Sequence, residues 1–88
     1  MIFFVSIRCK PGKTNEVGLA LAKKSLAQVE EIYSVSGDWD LMVQIRYDRD
    51  VDFEADVLEA VLQENWDNVE RTQTVIAYRV YDPDDIGF

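Results

Sequence analysis

The hydrophobic pattern at the start of the chain predicts a strand, a turn and a helix. Residues 2–9 form a nearly continuous apolar run that ends at Lys10-Pro11-Gly12, which is typical of a central strand buried on both faces and followed by a turn. From Thr14 the apolar positions change to helical intervals. Gly18 lies inside this helix, where it costs on the order of 1 kcal/mol relative to alanine. It can let the helix approach a strand closely.

The middle of the chain predicts a β-hairpin. Two runs rich in β-branched and aromatic residues, 32–35 and 41–45, flank a short polar segment, as in a hairpin. Gly37 can supply the positive φ that a tight connection requires. Asp38 and Asp40 can bond to nearby backbone amides and hold the turn. The tip therefore combines a glycine backbone, two carboxylates and the neighbouring indole, which suits a small polar ligand and equally suits an ordinary turn.

Helical spacing returns after the hairpin and is followed by another strand. Asp50 or Asp52 can cap a second helix over about 53–62, because short polar side chains bond to the first free amides. A connection at 65–69 then leads to a last strand from about Arg71 to Tyr81.

The element order predicts the fold class. The order βαββαβ predicts a ferredoxin-like α+β domain, with a four-stranded antiparallel sheet and two helices on one face. We expect this domain over residues 1–81 and an acidic tail over 82–88. Ile2 and Phe4 point away from Phe3 in the first strand, so the uncovered sheet face is apolar. Such a face predicts a dimer that pairs sheet against sheet with C₂ symmetry, in the manner of dimeric α/β barrels.

The composition of the chain excludes several classes of function. A chain of 88 residues forms only a limited core of its own, so association would help it. Its net charge of −8 disfavours direct nucleic-acid binding, which depends on clustered basic side chains. The sequence contains no histidine, the commonest general base and metal ligand. We therefore expect no catalytic residues, no metal and no cofactor.

The expected compartment is the cytoplasm. No apolar run approaches the roughly 18 residues that span a bilayer, and the apolar start lacks a basic leader. The single Cys9 cannot form an internal disulfide, which fits a reducing environment.

Three segments resemble one known family. Val35-Ser36-Gly37-Asp38-Trp39-Asp40-Leu41, Val69-Glu70-Arg71-Thr72-Gln73-Thr74-Val75-Ile76 and Cys9-Lys10-Pro11-Gly12-Lys13 resemble the effector-binding domain of the Lrp/AsnC (feast/famine) regulators, also called the RAM domain. The resemblance extends to about Val80. It implies dimers that assemble further and bind small effectors, usually amino acids, between dimers.

The resemblance also implies a set of site residues and partners. The expected effector-binding residues are Ser36, Gly37, Asp38, Trp39, Asp40, Thr72 and Thr74. Asp38 or Asp40 would accept a hydrogen bond from an effector's ammonium group, and the threonines would contribute from the last strand, including that of another subunit. Regulators of this family carry an N-terminal helix-turn-helix, whereas this chain begins at the first strand. We therefore expect a stand-alone module that acts on transcription indirectly, through full-length regulators of the same type.

Other interpretations remain open at this stage. Gly37, Asp38 and Asp40 also suit a purely structural turn, and Thr72 and Thr74 suit any strand. A ligand-free oligomerisation module is favoured if Trp39 fills the cleft that would otherwise hold the effector. Small enzymes also use dimeric α/β-barrel folds, and ACT domains share the same element order.

Overall fold

A computed structural model describes residues 2–24, 27–46, 62, 65–79 and 81–84. The described elements are β1 (Ile2–Cys9), α1 (Thr14–Lys24), β2 (Val29–Ser34), β3 (Leu41–Arg46), a 3₁₀ turn (Trp66–Asn68) and β4 (Val69–Ala77). The strands form one antiparallel sheet in the order β2-β3-β1-β4. This confirms the predicted four-stranded ferredoxin-like sheet with β1 in its interior. The predicted second helix lies outside the described residues, apart from Leu62, which is helical and buried.

β2 and β4 differ from their predicted bounds by more than one residue. β2 begins at Val29 rather than at Ile32. Glu30 and Glu31 are uncommon in strands, so the sequence did not predict this first part of β2, which pairs with β3 through an irregular register. β4 spans Val69–Ala77 rather than about 71–81. Ala77 pairs with Ile2, the first residue of β1, so within the described ranges β4 has no partner beyond Ala77.

The core lies between one face of the sheet and α1. Phe3, Val5 and Ile7 alternate along β1 and are buried on this face. Val17 and Leu21, one helical turn apart, are the buried residues of α1 and belong to the same cluster. The apolar positions that recur at helical intervals after Thr14 thus face the sheet, as expected for an amphipathic helix.

The other face of the sheet is largely uncovered in the protomer. Residues paired across antiparallel strands project to the same side, so Phe4 shares this face with its partners Gln44 and Val75. We call this surface the open face; its apolar members are Ile2, Phe4, Tyr33, Met42, Val75 and Ala77. The expectation that β1 is buried on both faces is wrong for the protomer, because Ile2 and Phe4 are only half-buried and Arg8 is exposed.

Within the described ranges, no helix has the length and apolar character needed to cross a bilayer.

Candidate functional site

The turn after β1 is a type II turn. The Lys13 amide donates to the Lys10 carbonyl at 3.0 Å, and Gly12 has a φ of 78°. Proline at the second position and a positive-φ glycine at the third are the requirements of this turn type. The turn leads directly into α1 and places Thr14 beside the end of β1, where the Thr14 hydroxyl is hydrogen-bonded to the Cys9 thiol.

The hairpin loop between β2 and β3 folds back onto the same end of β1. The Val35 amide donates to the Asp40 carbonyl at 3.0 Å, and Gly37 adopts the predicted positive φ, 97°. The Asp40 amide donates to the Ile7 carbonyl at 2.9 Å. The Asp40 carboxylate accepts the Cys9 amide at 2.8 Å. Asp40 therefore anchors the loop to the sheet through its backbone and its side chain.

An irregular register in β4 brings another charged residue to this end. Arg8 pairs with Arg71 but Cys9 pairs with Val69, so Glu70 is the extra residue of a bulge. A bulge redirects side chains away from the regular alternation. The Glu70 carboxylate lies 3.5 Å from Nε of Arg8, and Arg8 also donates to the Asp38 carbonyl at 3.3 Å.

These turns and the bulge enclose a polar cleft, which we call the turn cleft. Its volume is about 230 Å³ and its described lining comprises Arg8, Cys9, Lys10, Pro11, Gly12, Thr14, Gly37, Asp38, Asp40 and Glu70. Cationic and anionic side chains lie together on its walls. A ligand that carries both signs of charge would find a partner for each.

The structure brings together some of the residues that sequence reasoning selected. Gly37, Asp38 and Asp40 line the turn cleft, whereas Ser36 and Trp39 are outside its lining. The Trp39 ring instead packs under Arg71, whose guanidinium carbon lies 4.8 Å from the ring centroid. The indole therefore does not fill the cleft.

Thr72 and Thr74 lie elsewhere on the protomer. They pair with Ile7 and Val5, so they project to the core side of the sheet, and neither lines the turn cleft. Sequence reasoning missed Arg8, Lys10 and Glu70 as lining residues. Lys10 precedes the proline-glycine turn and could have been found from it, but the Glu70 bulge gave no sequence signal.

The two aspartates of the loop have different environments. One oxygen of Asp40 is occupied by the Cys9 amide, so its first role is structural. Asp38 is exposed, and only its carbonyl takes part in a hydrogen bond among the residues that the structure describes. Its carboxylate is the freer acceptor.

Cys9 is a buried thiol among the lining residues of the turn cleft. Burial raises the pKa of the thiol above its ordinary value, and the carboxylates of Asp40 and Glu70 raise the pKa further, against the opposing effect of the Thr14 hydrogen bond. The thiolate is the nucleophilic form. Cys9 therefore stays protonated near neutral pH and serves as a packing residue.

We expect native Cys9 to react with iodoacetamide much more slowly than the same thiol in denaturant. The pKa of the Cys9 thiol is raised in the folded protein, so the thiol of the unfolded chain loses its proton first as the pH rises. The free energy of unfolding should therefore fall above the unfolded pKa of about 8.5. Mass spectrometry of the alkylated protein against time measures the rate. Equal rates in buffer and denaturant would show that the thiol is accessible in the native state.

No metal centre appears in the described part of the chain, where no group of three or more potential ligands among His, Cys, Asp and Glu is close enough to hold an ion.

A sequence profile of known proteins matches nearly the whole chain. The profile described as "Lrp/AsnC ligand binding domain" matches residues 2–86. The chain belongs to the Lrp/AsnC ligand-binding domain family. This confirms the resemblance inferred from the hairpin loop and the entry to the last strand.

The chain is also similar to individual proteins, over different shares of their lengths. The chain is 38% identical to TTHA0845 from Thermus thermophilus, with a TM-score of 0.74 over 92% of this chain and 96% of that one. E. coli AsnC is 25% identical, with a TM-score of 0.60 over 90% of this chain and 51% of AsnC. The HTH-type transcriptional regulator FL11 of Pyrococcus horikoshii is 39% identical over 46 residues, which are 52% of this chain and 29% of the regulator. The chain thus matches only part of the longer regulators.

Proposed function

We propose that this protein is a cytoplasmic amino-acid-binding and oligomerisation module that modulates transcription through partner regulators of the Lrp/AsnC type and catalyses no reaction. The observation that carries the proposal is the turn cleft, where carboxylates and basic side chains face one small volume. The regulator FL11 among its relatives supports the regulatory part of the proposal.

A zwitterionic effector would be held by its two charged groups. Asp38 would accept a hydrogen bond from the ammonium group. Lys10 would attract the carboxylate, because its ammonium group has no carboxylate within ion-pair distance among the residues described. Arg8 is already engaged with Glu70 and with the Asp38 carbonyl, so it would help to fix the loop. Exposed ion pairs contribute only about 0–1 kcal/mol each.

A second subunit would complete the site, because exposed charged contacts alone are weak. The turn cleft has a volume of about 230 Å³, below the roughly 300–1,000 Å³ of most ligand pockets. A neighbouring subunit that covered the cleft would exclude water and strengthen each ion pair. Ser36 and Trp39 would contact the effector from the same loop as Asp38, and Thr72 and Thr74 would contribute from the last strand of a neighbouring subunit.

Binding between subunits would couple the effector to assembly. A ligand shifts an equilibrium only by its difference in affinity for the two states. An effector enclosed by two subunits binds the assembled state better, so it would favour larger oligomers and mixed assemblies with full-length regulators.

The first test is thermal unfolding of the protein with each common amino acid, with native mass recorded on the same samples. A ligand at about 100 times its Kd adds roughly 2.7 kcal/mol, and each kcal/mol moves the midpoint of such a domain by about 4–8 °C. We expect a selective rise for one amino-acid class, with a change in oligomer. No rise with any amino acid would favour a ligand-free assembly module.

The variant Asp38→Ala should abolish most of that rise while leaving the unliganded midpoint unchanged. The matched control is Asp67→Ala, which removes an exposed carboxylate outside the cleft lining. The amide of the active amino acid and its deaminated form then test the two charges separately, and both should bind more weakly than the parent. Undiminished binding to Asp38→Ala would exclude Asp38 as the ammonium acceptor.

A further inference from the structure

A second concave surface lies between α1 and β2. We call it the α1 groove. Its volume is about 380 Å³ and its described lining comprises Thr14, Asn15, Gly18, Leu19, Ala22, Ile32, Ser34 and Leu41. This volume falls within the range of small-molecule pockets, roughly 300–1,000 Å³. Thr14 also lines the turn cleft, so the two sites are adjacent.

Gly18 leaves the floor of the α1 groove open. It lies inside α1, where glycine is a poor helix former, and its backbone does not have a positive φ. Among the described residues, a Cβ placed at Gly18 would meet only Leu41, at 3.5 Å from Cδ2, which is ordinary van der Waals contact. The close helix-strand approach predicted from the sequence therefore does not require glycine here. What the missing side chain provides is space above Leu41.

The chemistry of the lining defines the class of ligand. All of the described lining residues are uncharged, so among them a charged or zwitterionic molecule would lose its hydration without gaining a partner for its charge. Leu19, Ile32 and Leu41 supply an apolar surface. Thr14 begins α1 and Ser34 ends β2, so hydroxyl groups lie where these elements start and end. The lining fits an apolar body with one neutral polar group.

We propose that the α1 groove is a binding site for a neutral, predominantly apolar small molecule that carries one hydrogen-bonding group. This site is separate from the turn cleft and takes a different chemical class of ligand. A second copy of the chain is the alternative occupant, since Leu19 is 53% exposed and could insert into a facing groove. One leucine side chain would leave most of 380 Å³ unfilled, however, and packed interfaces seldom retain such voids.

Three probes with the same apolar chain test the charge requirement: hexan-1-ol, hexanoate and hexylammonium. Each is titrated at millimolar concentration into the ¹⁵N-labelled protein, and amide shifts are followed by NMR. We expect hexan-1-ol to shift the amides of Gly18, Ile32 and Leu41, and to bind at least roughly tenfold more tightly than either ion. Shifts confined to other parts of the chain, or equal binding of all three probes, would overturn the proposal.

Variants at Gly18 test the location. Gly18→Leu fills the floor of the groove and should weaken binding of hexan-1-ol by roughly tenfold or more. Lys23→Leu, the matched control, adds the same side chain at an exposed α1 position outside the lining and should bind like the wild type. Gly18→Ala should weaken binding of hexan-1-ol less than Gly18→Leu does, and it should raise the unfolding midpoint. If Gly18→Leu does not fold, the affinity of Gly18→Ala for hexan-1-ol tests the location of the site.

Native mass spectrometry tests whether a second copy of the chain, rather than a small molecule, occupies the α1 groove. The proposal expects the wild type, Gly18→Ala and Lys23→Leu to have the same oligomeric mass. A smaller oligomer in Gly18→Ala, with unchanged binding of hexan-1-ol, would assign the groove to a contact between copies and overturn the proposal.

Discussion

Replacing Ile7 with alanine is expected to lower the free energy of unfolding by about 2–5 kcal/mol, the usual cost of truncating a large core side chain. Ile7 is fully buried in an interior strand and is paired with Leu41 on one side and Thr72 on the other. The surrounding strands are held by these ladders and cannot collapse into the space. The free energy of unfolding of a domain of this size is only about 5–15 kcal/mol, so this loss is a large fraction of it.

Thermal and urea unfolding would measure the loss. At about 4–8 °C for each kcal/mol, the midpoint should fall by roughly 8 °C or more, or the variant should fail to fold. Leu19→Ala, which removes a similar volume from an exposed position of α1, should change the free energy by no more than about 0.5 kcal/mol. Similar losses at both positions would contradict the assignment of Ile7 to the core.

We propose that two copies of the chain pair through the open face, and replacing Phe4 with aspartate is then expected to convert this dimer to monomers. Phe4 lies on the open face, in the interior strand β1, and is paired with Gln44 and Val75. Val75 is 50% exposed in the protomer, so the surrounding apolar surface is available to a partner. An unpaired charge buried at an interface costs roughly 3–5 kcal/mol, and C₂ symmetry introduces it twice. Each ~1.4 kcal/mol weakens association tenfold.

Sedimentation equilibrium of wild type and variant gives the dissociation constants directly. Asn15→Asp adds the same charge at an exposed position of α1, the helix that covers the opposite face of the sheet, and should leave the dimer intact. Far-UV circular dichroism should show that Phe4→Asp retains its secondary structure. An unchanged dimer in Phe4→Asp would show that the subunits associate through another surface.

The sequence by itself determined the class of fold and the local geometry of its turns. The alternation in β1 predicted that Phe3 and Phe4 lie on opposite faces, because successive side chains of a strand point to opposite sides. The Lys10-Pro11-Gly12 turn and the positive φ of Gly37 follow from the conformational limits of proline and the freedom of glycine. The same segments carried the family resemblance. Each of these features depends on neighbours in the chain.

Only the tertiary structure decided which residues meet at the turn cleft. The β1–β4 register and its bulge bring Glu70 to Arg8, and the loop between β2 and β3 reaches back 31 residues for the Asp40–Cys9 hydrogen bond. The same register places Thr72 and Thr74 on the core side of the sheet. Likewise, the space above Leu41 depends on how α1 packs against β2 and β3. Strand register and helix packing are set by contacts between distant segments, and no local pattern of residues specifies them.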